Sequence, residues 1–401
     1  MSREFLSKLS ECIREEEIFD LIKDLVAIPS YNSIKNQETE VANYIYELFK
    51  KEDIVADLTH VQDGRNNITA ILRGKGNGKS LLLTGHLDTV PPYDMEDAFE
   101  VKTDGDKIIG RGTNDMKGPL ACMIMTLVVI KRSGLELEGD LIFAAVIDEE
   151  ERSLGTIDLI EKGIQADGAI VGEPSNLEIC IAHRGVEWIQ FDFEGKTVHG
   201  GAQDEGINAI LRASNFIQKA EKNLIPKLSL RKHRVTGTST MNYGTINGGT
   251  QPSTVAGSCT LKIDRRWIPG ERYEDVLDEY REILNELAVE DPQFKCNMKA
   301  LGISTVKAGY VHESMEIDEN HILVESLVRS SKEVHNKIPK KTYFSAWSDG
   351  GLLHTYAKIP TLIFAPGDLK TAHSRDEFIN MSELVPAVKI YALTAYYFCR
   401  S

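Results

Sequence analysis

Residues 81–92 read LLLTGHLDTVPP: an apolar run, a glycine, His86, Asp88 two positions on, then Pro91 and Pro92. Leu81 to Thr84 are apolar enough for a strand buried on both faces, as in a parallel sheet. Side chains two apart on an extended chain point the same way, so His86 and Asp88 project together from the strand's carboxyl end. In open α/β sheets, ligands bind in the crevice outside those ends. The prolines stop the strand. The pair reads either as a metal-ligand histidine oriented by a carboxylate or as a loop histidine salt-linked to an aspartate, and taken alone it favours the second.

The flanking sequence repeats the theme. NITAILRG (67–74), GDLIFAAVID (139–148), GAIVGEPS (168–175) and KIPTLIFAPG (358–367) read as further strands. Residues 3–27 show helical periodicity that ends before Pro29, and 116–134, 154–163 and 384–399 read as helices, the first stopping at Gly134. Alternating strands and helices predict an α/β fold with a largely parallel sheet. Between these blocks the texture changes. GVEWIQFDFEG (185–195) alternates apolar and polar residues, a helix covers about 206–222, and strands STMNYGTING (239–248) and STVAGSCTLKID (253–264) follow. An amphipathic helix (271–288) and a strand, QFKCNMKAL (293–301), close the block. The order β-α-β-β-α-β is the ferredoxin-like split unit. The expected organisation is a first domain of 1–186 and 304–401 with a smaller domain, 187–303, inserted into it.

The 401-residue length suits two domains. Sixty-one acidic against 46 basic residues, a net charge of −15, argue against nucleic acid or an anionic membrane as partner. The six cysteines are scattered with no C-x-x-C, as for reduced cytosolic thiols. The opening stretch MSREFLSKLSECIREEE is too charged for a signal peptide, and the apolar run 120–130 is too short to span a bilayer, so a cytoplasmic protein is expected.

Acidic residues and histidines recur at the ends of the expected α/β strands: Asp115 after IIGRGTN, Asp148 to Glu151 after LIFAAVI, Glu173 after GAIVG, and His373 after TLIFAPGDLKTA. Singly, each has an ordinary reading: a helix cap, a solvated charge run, a turn residue, a surface histidine. Jointly, histidines and carboxylates at one sheet edge are what a two-metal site needs. Imidazole and oxygen donors suit Zn²⁺ best, with Mn²⁺ or Co²⁺ as alternatives. A bridging carboxylate lets two ions clamp an attacking and a developing oxygen.

GHLDTVPP, GRGTNDMKG, DEEERSLGT, GEPSN, HGGAQDEGINAI, DRRWIPGE and PGDLKTAHSRDEF, in this order, resemble the M20 family of di-zinc amidohydrolases, and the resemblance runs nearly the whole chain. It implies a catalytic domain with an inserted ferredoxin-like lid that forms the homodimer surface. It implies two Zn²⁺ per chain: His86 and Glu173 on one ion, Glu150 and His373 on the other, Asp115 bridging. Asp88 would orient His86. Glu149 would be the general base that takes the proton of a metal-activated water and passes it to the leaving amine. His199 would reach the partner subunit's site and steady the oxyanion. Arg266 would hold a substrate carboxylate, with neighbouring Arg265 as a competing assignment. Ser253 or Thr254 stands where relatives place a substrate-contacting Asn.

The implied activity is hydrolysis of the amide of an N-acylated amino acid, as in acetylornithine deacetylase or succinyl-diaminopimelate desuccinylase. The alternative within the family is a carboxypeptidase or dipeptidase. A non-catalytic metal- or amino-acid-binding homologue would lack the base, and Glu149 is present.

Overall fold

The structure, a computed structural model, describes residues 2–301 and 307–401. The chain divides into two compact units, Met1–Ala182 with Met315–Ser401, and His183–Ser314. The second unit is wider at both ends than the 187–303 expected from pattern, and the expected boundary at 303/304 lies outside the described residues.

In the first unit the strands run in the spatial order Val55–Gln62, Arg65–Leu72, Leu141–Val146, Leu81–His86, Gly168–Val171, Thr361–Ile363, Ile179–His183, Met315–Glu316, with Lys341–Phe344 also beside Ile179–His183. The middle of this sheet is parallel, from Leu141–Val146 across to Thr361–Ile363, and antiparallel strands flank it. Every residue of Leu81–His86 is buried, as a strand covered on both faces requires. The helix Lys117–Ser133 is buried along nearly its whole length and ends where Gly134 turns left-handed (φ 66°). It packs against Glu15–Ala27 and Met381–Phe398.

Two differences from the sequence reading stand out. The helical stretch 3–27 is two helices, Ser2–Cys12 and Glu15–Ala27, because Arg14 is extended. The helix Thr39–Lys51 and strand Val55–Gln62 escaped the pattern. That edge strand pairs on one side only and keeps no residue fully buried, so it carries little apolar alternation.

In the second unit an antiparallel sheet has the order Thr240–Gly248, Ser258–Trp267, Gly185–Glu194, Cys296–Ala300. Its core comes from alternate residues of the strands. Ile189, Phe191 and Phe193 face inward against Phe216 and Tyr280 of the helices Ala209–Asn223 and Tyr273–Glu290, while Trp188 is exposed. Residues 253–257, expected within a strand, instead pair with the turn after Gly185–Glu194: the Val255 amide donates to Val198 (2.9 Å) and that of Gly195 to Gly257 (2.8 Å).

Among the described residues, no helix is long and apolar enough to cross a membrane.

Candidate metal centre

The parallel strands end in register. His86 lies opposite Val146, Thr84 opposite Val171, and Ile363 opposite Val171. The residues that follow therefore gather at one carboxyl edge of the sheet: His86 itself, Glu149 and Glu150 just past Val146, and Glu173 just past Val171. Close approach is bought by glycine here. A Cβ on Gly85 would come within 2.2 Å of the Met116 methyl, beside Asp115.

Asp115 is the centre of the group. Its Oδ1 lies 3.1 Å from His86 Nε2 and its Oδ2 lies 3.2 Å from His373 Nε2. Glu173 Oε1 is 3.7 Å from His86 Nε2, and Glu150 is 3.1 Å from His373 Nε2. Donor atoms of His86, Glu149 and Glu173 lie within 4.8 Å of one another, as do those of His86, Asp115 and Glu150. The structure thus gathers all five expected ligands, the expected base Glu149 and Asp88. His373 adopts a left-handed backbone (φ 59°), as does Asp148 (φ 70°), next to Glu149; such conformations need support from their surroundings.

Asp88 sits otherwise than its sequence position suggests. The His86 ring bonds through Nδ1 to the Asp88 carbonyl (2.9 Å), whereas the Asp88 carboxylate stands 3.6 Å away. A carbonyl only accepts, so Nδ1 carries a proton there, and it is Nε2, now hydrogen-bonded to Asp115, that would give up its proton to offer a lone pair to a ligand. The Asp88 carboxylate instead accepts the amides of Glu149 (3.1 Å) and Glu150 (2.9 Å). One residue therefore orients a histidine with its backbone and fixes the two glutamates with its side chain.

The electrostatics call for cations. Asp88, Asp115, Glu173 and Asp349 are buried, and Glu149 and Glu150 are half-buried beside them. Burial, then the charge of Glu173, pushes the Glu149 carboxyl well above its ordinary range. Burial, then Asp115, does the same to Glu173. For Asp115, burial is outweighed by the hydrogen bonds from His373 and His86, which hold it below the usual carboxylate range. Burial opposes a charged His86, yet Asp115 and the surrounding carboxylates draw its pKa well above the usual value. So many carboxylates with only imidazoles for company cannot all ionise without further positive charge. The donor set of imidazole and carboxylate oxygens fits a pair of Zn²⁺-like ions.

Behind the centre lies a network with no mark in the sequence pattern. Arg65 is buried and pairs with both Glu38 (2.6 Å) and Asp148 (2.7 Å), and Glu38 accepts the Asp148 amide (3.1 Å). Arg65→Met keeps the bulk but strands two buried carboxylates. It is expected to cost about 3–5 kcal/mol of unfolding free energy, read from urea denaturation. An unchanged midpoint would show that the pair contributes nothing. Glu377 and Asp349 were also missed. Asp349, after the strand Lys341–Phe344, accepts from Thr156 (2.5 Å) and adds its charge near Glu149 and Glu173.

The remaining expected site residues belong to the second unit. His199 begins the short helix Gly200–Glu205, its Nδ1 accepting the Gly201 amide (3.1 Å). It bridges Thr254, and the Gly200 amide donates to the Ser253 carbonyl (2.7 Å), so His199, exposed Ser253 and Thr254 lie side by side. Of the adjacent arginines, Arg265 is fully buried, held by Glu279 (3.2 Å) and by the Arg266 carbonyl (2.6 Å). Arg266 is partly exposed, but Asp264 already meets its Nε at 3.1 Å and its Nη2 at 3.4 Å.

The profile of peptidase family M20/M25/M40 matches residues 82–397. An N-formyl-4-amino-5-aminomethyl-2-methylpyrimidine deformylase from Halalkalibacterium halodurans is 30% identical, the alignment covering 96% of this chain and 95% of the relative. An acetylornithine deacetylase from Myxococcus xanthus is 28% identical over 83% of this chain and 84% of its own. The crystal structure of an aminopeptidase from Bacillus cereus superposes with a TM-score of 0.80 at 20% identity, over 96% of this chain and 99% of that one, a likeness of fold. By its profile, and by its match along almost the full length of a relative, the chain belongs to peptidase family M20/M25/M40.

Proposed function

We propose that this protein is a two-metal amidohydrolase that removes the acyl group from a small N-acylated amine. The observation that carries the reading is Asp115, whose two oxygens face two different histidines. His86 and Glu173 would hold one ion, Glu150 and His373 the other, and Asp115 both, Zn²⁺ being the metal the donors suit best. Bound there, the ions would supply Lewis acidity toward the amide carbonyl and toward water.

The chain's own residues do the rest. Glu149 stands within the donor cluster, and among the described residues no hydrogen bond holds its carboxylate. It can take a proton from water as the water oxygen bonds to the carbonyl carbon. When the C–N bond breaks, Glu149 returns that proton to the amine nitrogen. The Asp88 carboxylate, by fastening the Glu149 amide, keeps the base in place. The second unit we read as a lid and homodimer surface, with His199 as an oxyanion donor to the partner's site. Exposed Leu211 and Ile246 and the edge strand Thr240–Gly248 support a surface that pairs with a second copy.

Two amine classes compete. An N-acyl amino acid would use Arg266 as carboxylate partner. The pairing of Arg266 with Asp264 weakens that use, and the name of the Halalkalibacterium relative supplies the second reading: an N-formylated aminomethylpyrimidine, which has no carboxylate. A hydrolysis panel of N-formyl, N-acetyl and N-succinyl amino acids, their carboxamides, dipeptides and the formylated pyrimidine separates them. The expected result is turnover of N-acyl compounds and little of aminoacyl-p-nitroanilides. A steep loss on amidating the carboxylate supports the amino-acid reading, and indifference to it supports the pyrimidine. Cleavage of the p-nitroanilides with N-acyl compounds untouched would overturn both.

A further inference from the structure

Glu377 lies four residues past His373 in HSRDEF and is fully buried. One of its oxygens, Oε1, accepts three backbone amides from the loop that carries Asp115: Gly112 (2.9 Å), Asn114 (3.0 Å) and Asp115 itself (3.0 Å). Its other oxygen takes the guanidinium of Arg111, also fully buried. The loop can present those amides to a single point because Gly112 is left-handed (φ 86°), a conformation glycine adopts without strain. A second tie runs alongside, from the Asn114 side-chain amide to the Asp368 carbonyl (2.9 Å). Gly367, left-handed at φ 91°, leaves room for it, since a Cβ there would lie 2.1 Å from Asn114 Oδ1.

We propose that Glu377 is a positioning residue for both halves of the metal centre: it ties the Asp115 loop to the His373 loop and sets the bridging carboxylate between its two histidines. Backbone amides donating to a carboxylate make hydrogen bonds roughly twice as strong as neutral ones, and mutating outer-shell partners of metal ligands typically weakens metal binding. This rests on the two-ion reading of the site, and sequence spacing alone did not suggest it.

Two variants separate positioning from mere support. Glu377→Asp keeps a negative charge beside Arg111 but draws the carboxylate back by about 1.5 Å, away from the fixed backbone amides. Arg111→Met with Glu377→Gln keeps the reach, leaving the carboxamide oxygen free to accept the three amides, and gives up the ion pair. Zinc affinity is measured by competition with a chromophoric chelator, and thermal midpoint on the metal-free protein. Glu377→Asp should bind zinc about 10–100-fold more weakly with a small change in midpoint. The double variant should show the reverse, a lowered midpoint with affinity near wild type. Affinity that tracks the midpoint in both variants, or a Glu377→Asp protein that binds zinc like wild type, would overturn the proposal. So would a Glu377→Asp protein that does not fold, since the role would then be structural. A wild-type protein that binds no zinc would instead overturn the two-ion reading itself.

Discussion

Glu149→Ala is expected to lower kcat by about 10²–10⁴-fold, toward the upper end, with fold and bound metal unchanged. The size follows from the work assigned to the residue, which moves one proton from water to the leaving amine within a single turnover. The persistence of metal follows from geometry. The proposed ligand set, Asp115, His86, Glu173, Glu150 and His373, does not include Glu149, and the Glu149 backbone would still be held by Asp88. Glu149→Gln keeps the shape and removes the basicity, so it should fall nearly as far as alanine. Single-turnover kinetics on an N-formyl or N-acetyl substrate gives the chemical step directly. A kcat within a few-fold of wild type would remove Glu149 from the reaction. Loss of metal along with activity would make it a ligand, as its closeness to His86 and Glu173 would also allow.

Much of this centre was legible because a parallel sheet converts sequence position into spatial position. Strands buried on both faces are apolar runs, and residues just after each run fall at one edge when the strands end in register. Leu81–His86, Leu141–Val146 and Gly168–Val171 do so, which is why His86, Glu149, Glu150 and Glu173 could be read together. His373 stands farther beyond its strand, Thr361–Ile363, and was tied to the others by motif more than by period. What stayed illegible was long-range pairing. Nothing local in Arg65 announces Glu38 and Asp148, and nothing in Glu377 announces amides more than 250 positions earlier in the chain. The role of Asp88 was half visible. Its spacing from His86 implied a link, but only the fold shows that the backbone carbonyl makes it, while the carboxylate turns to the glutamates. Arg266 shows a different limit, because its motif could not reveal that Asp264, two residues away, already occupies it.

Asp115→Ala is expected to empty the centre. Asp115 pairs with both His86 and His373, so its loss leaves His86 paired with Glu173 and His373 with Glu150. Catalytic zinc ordinarily needs about three protein ligands, and neither remaining pair supplies them. The variant gives up the hydrogen bonds of Asp115 to two imidazoles and relieves its repulsion of Glu173, and folding of the metal-free protein is checked by far-ultraviolet circular dichroism. Hydrolysis should fall to background in step with the metal. The direct measurement is metal per chain by elemental analysis after gel filtration, on wild type and Asp115→Ala loaded with zinc side by side. The two-ion account predicts about two equivalents in the wild type, as for a two-metal site, and well under one in the variant. Two equivalents retained by a folded Asp115→Ala protein would contradict it.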